Sequence, residues 1–173
     1  MTRVLHVITR YLNGGSEVTT RNILEGLTTA EEEYSLFLGT GAEHNSEKLR
    51  ELESMGVETT VFRSIRHYNP ITAIVAVFAV AWVLRRENID IVHTHGTEAG
   101  VIGPLAGTIA GTSSIIHEVH GDPVTADRNH LLNRFLIAAE RLSVRLSDYI
   151  IVKSELIRDT YLQRGIGTPE KYE

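Results

Sequence analysis

The chain has 173 residues, 42% hydrophobic and 23% charged, with a formal net charge of −5. That length and apolar fraction describe one ordinary domain with a sizeable core, and the balance is neither that of a nucleic-acid binder nor that of a disordered chain. Cysteine is absent, which excludes disulfides and cysteine-rich metal sites and fits a reducing cytoplasm.

Met1-Thr-Arg leads directly into a strand pattern, without the regions of a secretory signal, so export by that route is not expected. A first strand is predicted over Val4 to Thr9, and Asn13-Gly14-Gly15-Ser16 turns it into a helix from Glu17 to Leu27. Tyr34 to Leu38 reads as a second strand, followed by Gly39-Thr-Gly41 and a polar helix over Ser46 to Ser54, with Leu49 and Leu52 facing inward and Gly56 closing it. Val57 to Phe62 is the third strand. Its loop leads to Pro70 at the start of a helix that ends near Arg85-Arg86, cations suited to the negative end of the dipole. Then come a strand ending at His95, a small-residue helix from Glu98 to Ala110, a strand ending at His120, and a long helix from Arg128 to Leu146. Tyr149 to Val152 and a helix opening at Ser154 complete the pattern. Six strands alternating with helices predict a doubly wound, Rossmann-like parallel sheet with helices on both faces, as a single domain over 1–173.

Two strands close on histidine and glycine: Ile89-Asp-Ile-Val-His-Thr-His95-Gly96 and Ser114-Ile-Ile-His-Glu-Val-His120-Gly121. Ligands of open α/β sheets bind outside the carboxyl ends of strands, so both ends should face one cleft. A period of two puts His93 and His95 on one side of their strand, and sets His120 with Glu118 against His117. A histidine pair with a third ligand from the next strand is one geometry for zinc, but no H-E-x-x-H helix accompanies it, and hydrogen bonding to a polar ligand is preferred. No metal and no cofactor are expected. His120 would bond a polar ligand or stabilise charge, with Gly121 leaving room; the bland reading, a histidine bonded to a loop carbonyl, suits His6 and His117 better.

The loop before the first helix, with Gly14 and Gly15, sits where this architecture commonly binds anions, though a tight turn would use the same glycines. The G-x-G-x-x-G spacing and the P-loop pattern are both absent, which disfavours nicotinamide and P-loop chemistry. Arg63, Arg66, His67 and Tyr68 follow the third strand, where arginines suit phosphate and Tyr68 suits stacking on a sugar or base; a solvated basic loop reads the same way. The helix after Pro70 is apolar around nearly its whole circumference. Burial is the default for such a helix, and an exposed face would meet a missing domain, a partner chain or lipid.

Taken together, VLHVITRYLNGGSE, NIDIVHTHGTEAGVIGPLAG, SSIIHEVHG and DYIIVKSELIRDTYLQRGIGTPEKYE resemble the amino-terminal domain of family-4 glycosyltransferases, retaining nucleotide-sugar enzymes with the two-domain GT-B fold. The resemblance implies an acceptor-side domain of an enzyme that transfers a sugar to a glycan or lipid-linked acceptor. It implies Gly14 and Gly15 against the donor diphosphate, His120 at the donor sugar, and His95, Gly96 and Gly121 lining the cleft. Arg63, Arg66, His67 and Tyr68 are the acceptor candidates. The family's second domain, which holds the donor, has no counterpart in this chain, so the chain alone is expected to be inactive or nearly so, because orientation is a large part of enzymatic rate. A cytoplasmic protein, peripheral at the membrane and without nucleic-acid partners, completes the expectation. The alternative is a flavodoxin-like binding or partner module, with a zinc hydrolase as a weaker third.

Overall fold

The computed structural model of the chain describes residues 1–65, 70–125 and 127–173. Among these, one parallel sheet contains β1 (Thr2–Ile8), β2 (Tyr34–Thr40), β3 (Glu58–Val61), β4 (Ile91–His95), β5 (Ser114–Val119) and β6 (Tyr149–Val152), in the order β3-β2-β1-β4-β5-β6. The connecting helices are α1 (Gly15–Thr28), α2 (Ser46–Ser54), α3 (Pro70–Arg86), α4 (Thr97–Ala110), α5 (His130–Leu146) and α6 (Glu155–Gln163). The strand order reverses between β1 and β4, the crevice where ligands of doubly wound sheets bind.

Alternation along the central strands divides the core. Leu5, Val7, Phe37, Val92 and Ile115 pack with Val80 and Leu84 of α3 and Ile102 of α4. On the other side, Val4, Ile8, Leu36 and Leu38 meet Leu24 of α1 and Leu49 and Leu52 of α2. A third cluster joins Val119 and Ile150 to Val144 of α5 and Tyr161 of α6.

Helix starts are set by caps. Asn45 accepts from Glu47 N at 2.9 Å, and Asn129 accepts from Leu131 N at 2.8 Å, which starts α5 at His130, two residues after the sequence expectation. Helix α4 lies close on the sheet because its inner positions are glycines: a side chain at Gly103 would strike Thr94, and one at Gly100 would strike His117. The same helix contains Pro104, which has no N–H to give the Gly100 carbonyl one turn back. The Ser143 hydroxyl of α5 donates to that carbonyl instead.

One expectation is corrected here. Helix α3 is not covered all round: Ala76, Val80 and Leu84 are buried, whereas Ile74, Val75, Phe78 and Trp82 are exposed. Only its inner half reaches the sheet.

Candidate active site

The loops after β1, β4 and β5 lie side by side, because those strands are neighbours. They bring Gly14, Gly15, His95, Gly96, His120 and Gly121 to one edge of the sheet, as the sequence predicts. Arg63 is exposed beyond β3, with β2 between its strand and the glycine loop. Arg66, His67 and Tyr68 lie outside the described residues.

The glycine loop has two unlike glycines. A side chain at Gly14 would strike the Glu17 carboxylate, which is buried beneath the loop and accepts from Leu12 N at 3.3 Å and Ser16 Oγ at 2.8 Å. Burial alone would raise the Glu17 carboxyl, and the bonds from Ser16 and the backbone outweigh it and hold the group below its ordinary value. At Gly15 and Gly121 a Cβ would meet nothing within 4 Å, and neither has a positive φ. The fold does not demand glycine at either place, so the space they leave is available to a ligand. Gly96, by contrast, has φ +80°, a conformation that favours glycine at the start of α4.

Behind this rim lies a polar cluster that the sequence reading found only in part. Register sets His6 of β1 beside His93 of β4, and His95 beside Glu118 of β5. His6 Nδ1 is 3.0 Å from His95 Nε2, and His95 Nδ1 lies 3.0 Å from Glu118 Oε2 and 3.4 Å from His120 Nε2. His93 Nε2 is 3.4 Å from the same Glu118 oxygen, and Lys153, just past β6, pairs with the other one. Burial alone would raise Glu118, but His93, His95 and Lys153 together hold it far below the ordinary carboxylate range. It is therefore an anion, although only 1% exposed.

An anion there assigns the ring protons. Glu118 Oε2 has no hydrogen bond of its own among the described residues, and its charge 3.0 Å from His95 Nδ1 favours a proton on that nitrogen, whose hydrogen-bond partner is His120 Nε2. His95 Nε2 then accepts from His6 Nδ1–H, His120 Nε2 is a lone pair, and the His120 proton is on Nδ1. Burial lowers His6 well below 6.5 and His95 to about 3, and it lowers His120 as well, so all three rings are neutral at pH 7. His120 can thus donate one neutral N–H to a ligand oxygen. It is not a cation there, which narrows the sequence reading of charge stabilisation. His117 points to the opposite side of β5, 3.0 Å from Thr94 Oγ1 and 3.6 Å from Glu140. His6 departs from its bland reading, since its partner is a cleft histidine and not a loop carbonyl.

The ligand atoms of His6, His93 and His95, and of His95, Glu118 and His120, lie within 4.8 Å of one another. The two sets, three histidines in one and two histidines with a glutamate in the other, fit a transition metal in outline, but His95 belongs to both and its two nitrogens are engaged by His6 and His120.

The fold and the cleft define a Rossmann-like α/β domain of the kind that forms half of a GT-B glycosyltransferase. The chain belongs to the Glycosyl transferase 4-like domain family, which matches residues 14–173. Over 62 residues it is 32% identical to the Escherichia coli UDP-Gal:alpha-D-GlcNAc-diphosphoundecaprenol alpha-1,3-galactosyltransferase, 36% of this chain and 15% of that protein. Among solved structures it resembles Anabaena HepE in complex with UDP and glucose, with TM-score 0.73 and 18% identity over 100% of this chain and 44% of that one. The lipopolysaccharide outer core galactosyltransferase WaaB, in its apo form, gives TM-score 0.72 and 15% identity over 99% of this chain and 44% of WaaB. The chain thus spans less than half the length of the proteins it matches. No helix among the described residues is long and apolar enough to cross a membrane.

Proposed function

We propose that the chain is the acceptor-side half of an enzyme that moves a sugar from a nucleotide-sugar donor to a glycan or lipid-linked acceptor, with retention at the anomeric carbon. The observation that carries this reading is the meeting, at the β1/β4 switch point, of a glycine loop open at Gly15 with a neutral histidine rim, in a chain of this family. The donor diphosphate lies against Gly14 and Gly15, where the first amides of α1 offer hydrogen bonds to negative charge. His120 gives its N–H to a hydroxyl of the donor sugar, and His95, Gly96 and Gly121 shape the wall beside it. Arg63, with Arg66, His67 and Tyr68, serves the acceptor. UDP and UDP-galactose in the names of similar proteins make a uridine nucleotide the first donor to try, and the diphosphoundecaprenol in one of them makes a lipid diphosphate the first acceptor.

The remaining donor contacts come from a second domain, so the 173 residues alone transfer sugar poorly or not at all. Such an enzyme works at the cytoplasmic face of a membrane, touching it peripherally, because that is where a lipid-linked acceptor is presented. Titrating the labelled chain with UDP-galactose and UDP-glucose, and following backbone amides by NMR, tests the reading. Shifts are expected at Gly14, Gly15, Gly96, His120 and Gly121. Shifts confined to other regions, or none at millimolar nucleotide, would remove it, and robust transfer by the isolated chain would remove its two-domain part.

A further inference from the structure

Helix α4 packs between α3 and α5, so the three form one layer on a single face of the sheet. Their outward surfaces are apolar where a solvated helix would be polar. On α3 the outward residues Ile74, Val75, Phe78 and Trp82 follow helical spacing, with Phe78 62% and Trp82 58% exposed. On α5 the exposed Leu131, Phe135 and Leu142 repeat the pattern, and Ile109 of α4 is exposed between the two helices. Contiguous apolar surface of this kind marks a contact site, whereas scattered single residues would not.

Charge says what covers it. Helices α3, α4 and α5 carry five arginines, Arg85, Arg86, Arg134, Arg141 and Arg145, against Glu98 and Glu140, and Glu140 is buried. The remaining helices α1, α2 and α6 carry seven carboxylates against four cations. Helix α6 packs on α5 over the same face and adds Glu155, Asp159 and Arg158, and Glu87 just past α3 pairs with Arg86 at 3.3 Å. Helices α3 to α6 still carry more arginines than carboxylates, so in a chain of net charge −5 the layer with the exposed apolar stripes is the cationic one. Arg86 lies over the Trp82 ring, 5.0 Å from its centroid, an arrangement that lets the guanidinium stay at a polar boundary while the indole goes deeper. A second copy of the chain would bring arginines against arginines. A further domain closing the cleft would sit across the strand ends, whereas this surface runs parallel to the sheet.

We propose that the outward face of α3, α4 and α5 docks on an anionic phospholipid bilayer, with Phe78, Trp82 and Phe135 entering the headgroup boundary and Arg85, Arg86 and Arg134 pairing with lipid phosphates. The proposal takes from the functional reading only that the acceptor is held by a membrane. Docking through this layer leaves the strand-end cleft at the edge of the contact, within reach of a lipid-linked acceptor.

Trp82 is the single tryptophan of the chain, so its fluorescence reports this face directly. Vesicles of phosphatidylglycerol and phosphatidylethanolamine, without acceptor or nucleotide, are added to the 173-residue chain, and phosphatidylcholine vesicles serve as the uncharged control. Expected results are a blue shift with the anionic vesicles, quenching by brominated phosphatidylglycerol, and vesicle affinity falling roughly fivefold for each of Arg85→Gln and Arg86→Gln. Phe78→Ser is expected to weaken binding without changing its salt dependence. An unchanged spectrum with anionic vesicles overturns the proposal, as does equal binding to both vesicle types. A blue shift that appears with protein concentration alone, together with a dimer in sedimentation, overturns it in favour of self-association. Because no sugar transfer is measured, a failure here is distinct from failure of the nucleotide titration.

Discussion

At the scale of single residues, the cleft separates positions that the fold needs from positions it leaves open. Gly15 is the first residue of α1, and a methyl there meets nothing within 4 Å. Gly15→Ala is therefore expected to keep or raise stability, by up to about 1 kcal/mol through reduced backbone entropy. Its affinity for UDP-galactose should fall about tenfold if the methyl occupies the space proposed for the diphosphate; calorimetric titration beside a thermal melt checks both, and unchanged affinity would move the proposed diphosphate site elsewhere. The ring protons give a second test. Two-bond 1H–15N spectra should show His95 and His120 both protonated on Nδ1 from pH 7 to 8, and Glu118→Gln should allow mixed tautomers at both rings. An Nε2–H form of His120 in the unmodified chain contradicts the assignment. The strand-end histidines were legible because a period of two and a following glycine are local signals. Glu118 with Lys153 was not, since that pair joins β5 to a residue 35 positions later and exists only through strand order. His6 was misread for the same reason: its partner depends on the register of β1 against β4.

At the scale of elements, what the sequence made clear was the alternation, and what it blurred were ends governed by caps and neighbours. Helix α2 and strand β6 fall where leucine spacing and β-branched residues put them. Helix α1 begins two residues earlier than its apolar pattern, with Val18 N bonded to Gly14 O at 3.2 Å. The two-faced character of α3 was hidden, because a helix apolar on every side gives no periodicity from which to tell the buried half. Helix α4 runs through Pro104 because its neighbour supplies the missing donor: Ser143 takes the Gly100 carbonyl. Ser143→Ala should cost about 1–3 kcal/mol by leaving that buried carbonyl bare. The loss should be smaller in a Pro104→Ala background, where the helix has its own N–H for the same carbonyl. A double-mutant cycle in urea measures the difference, and strict additivity of the two changes would show that Ser143 does not substitute for the proline's missing donor.

At the scale of the whole molecule, the buried histidines couple the cleft to stability. Unfolded, His6 and His95 would bind protons near pH 6.5, but in the folded chain burial holds His6 well below that value and His95 at about 3. Below pH 6.5 the unfolded state therefore binds more protons than the native state, and stability falls as pH falls. A ring that stays neutral contributes up to about 1.4 kcal/mol per pH unit over that window, so His95 alone removes about 2 kcal/mol between pH 6.5 and 5, and His6 adds a loss in the same direction. Against the 5–15 kcal/mol that ordinarily holds a domain together, that is a measurable share. Glu118 adds a second loss in the same direction at lower pH: its depressed carboxyl contributes stability that is present above its ordinary value of 4.5 and disappears below it. Acid lability should thus begin near pH 6.5, well above the pH at which carboxylates alone would produce it. Urea midpoints should be nearly level from pH 7 to 8 and drop steeply from 6.5 to 5. His6→Gln, which removes one of the two buried rings, should reduce that slope by about one proton. A flat profile from pH 7 to 5, or an unchanged slope in the variant, would mean that these histidines take up protons in the folded chain and that the rim of the cleft is cationic in mild acid.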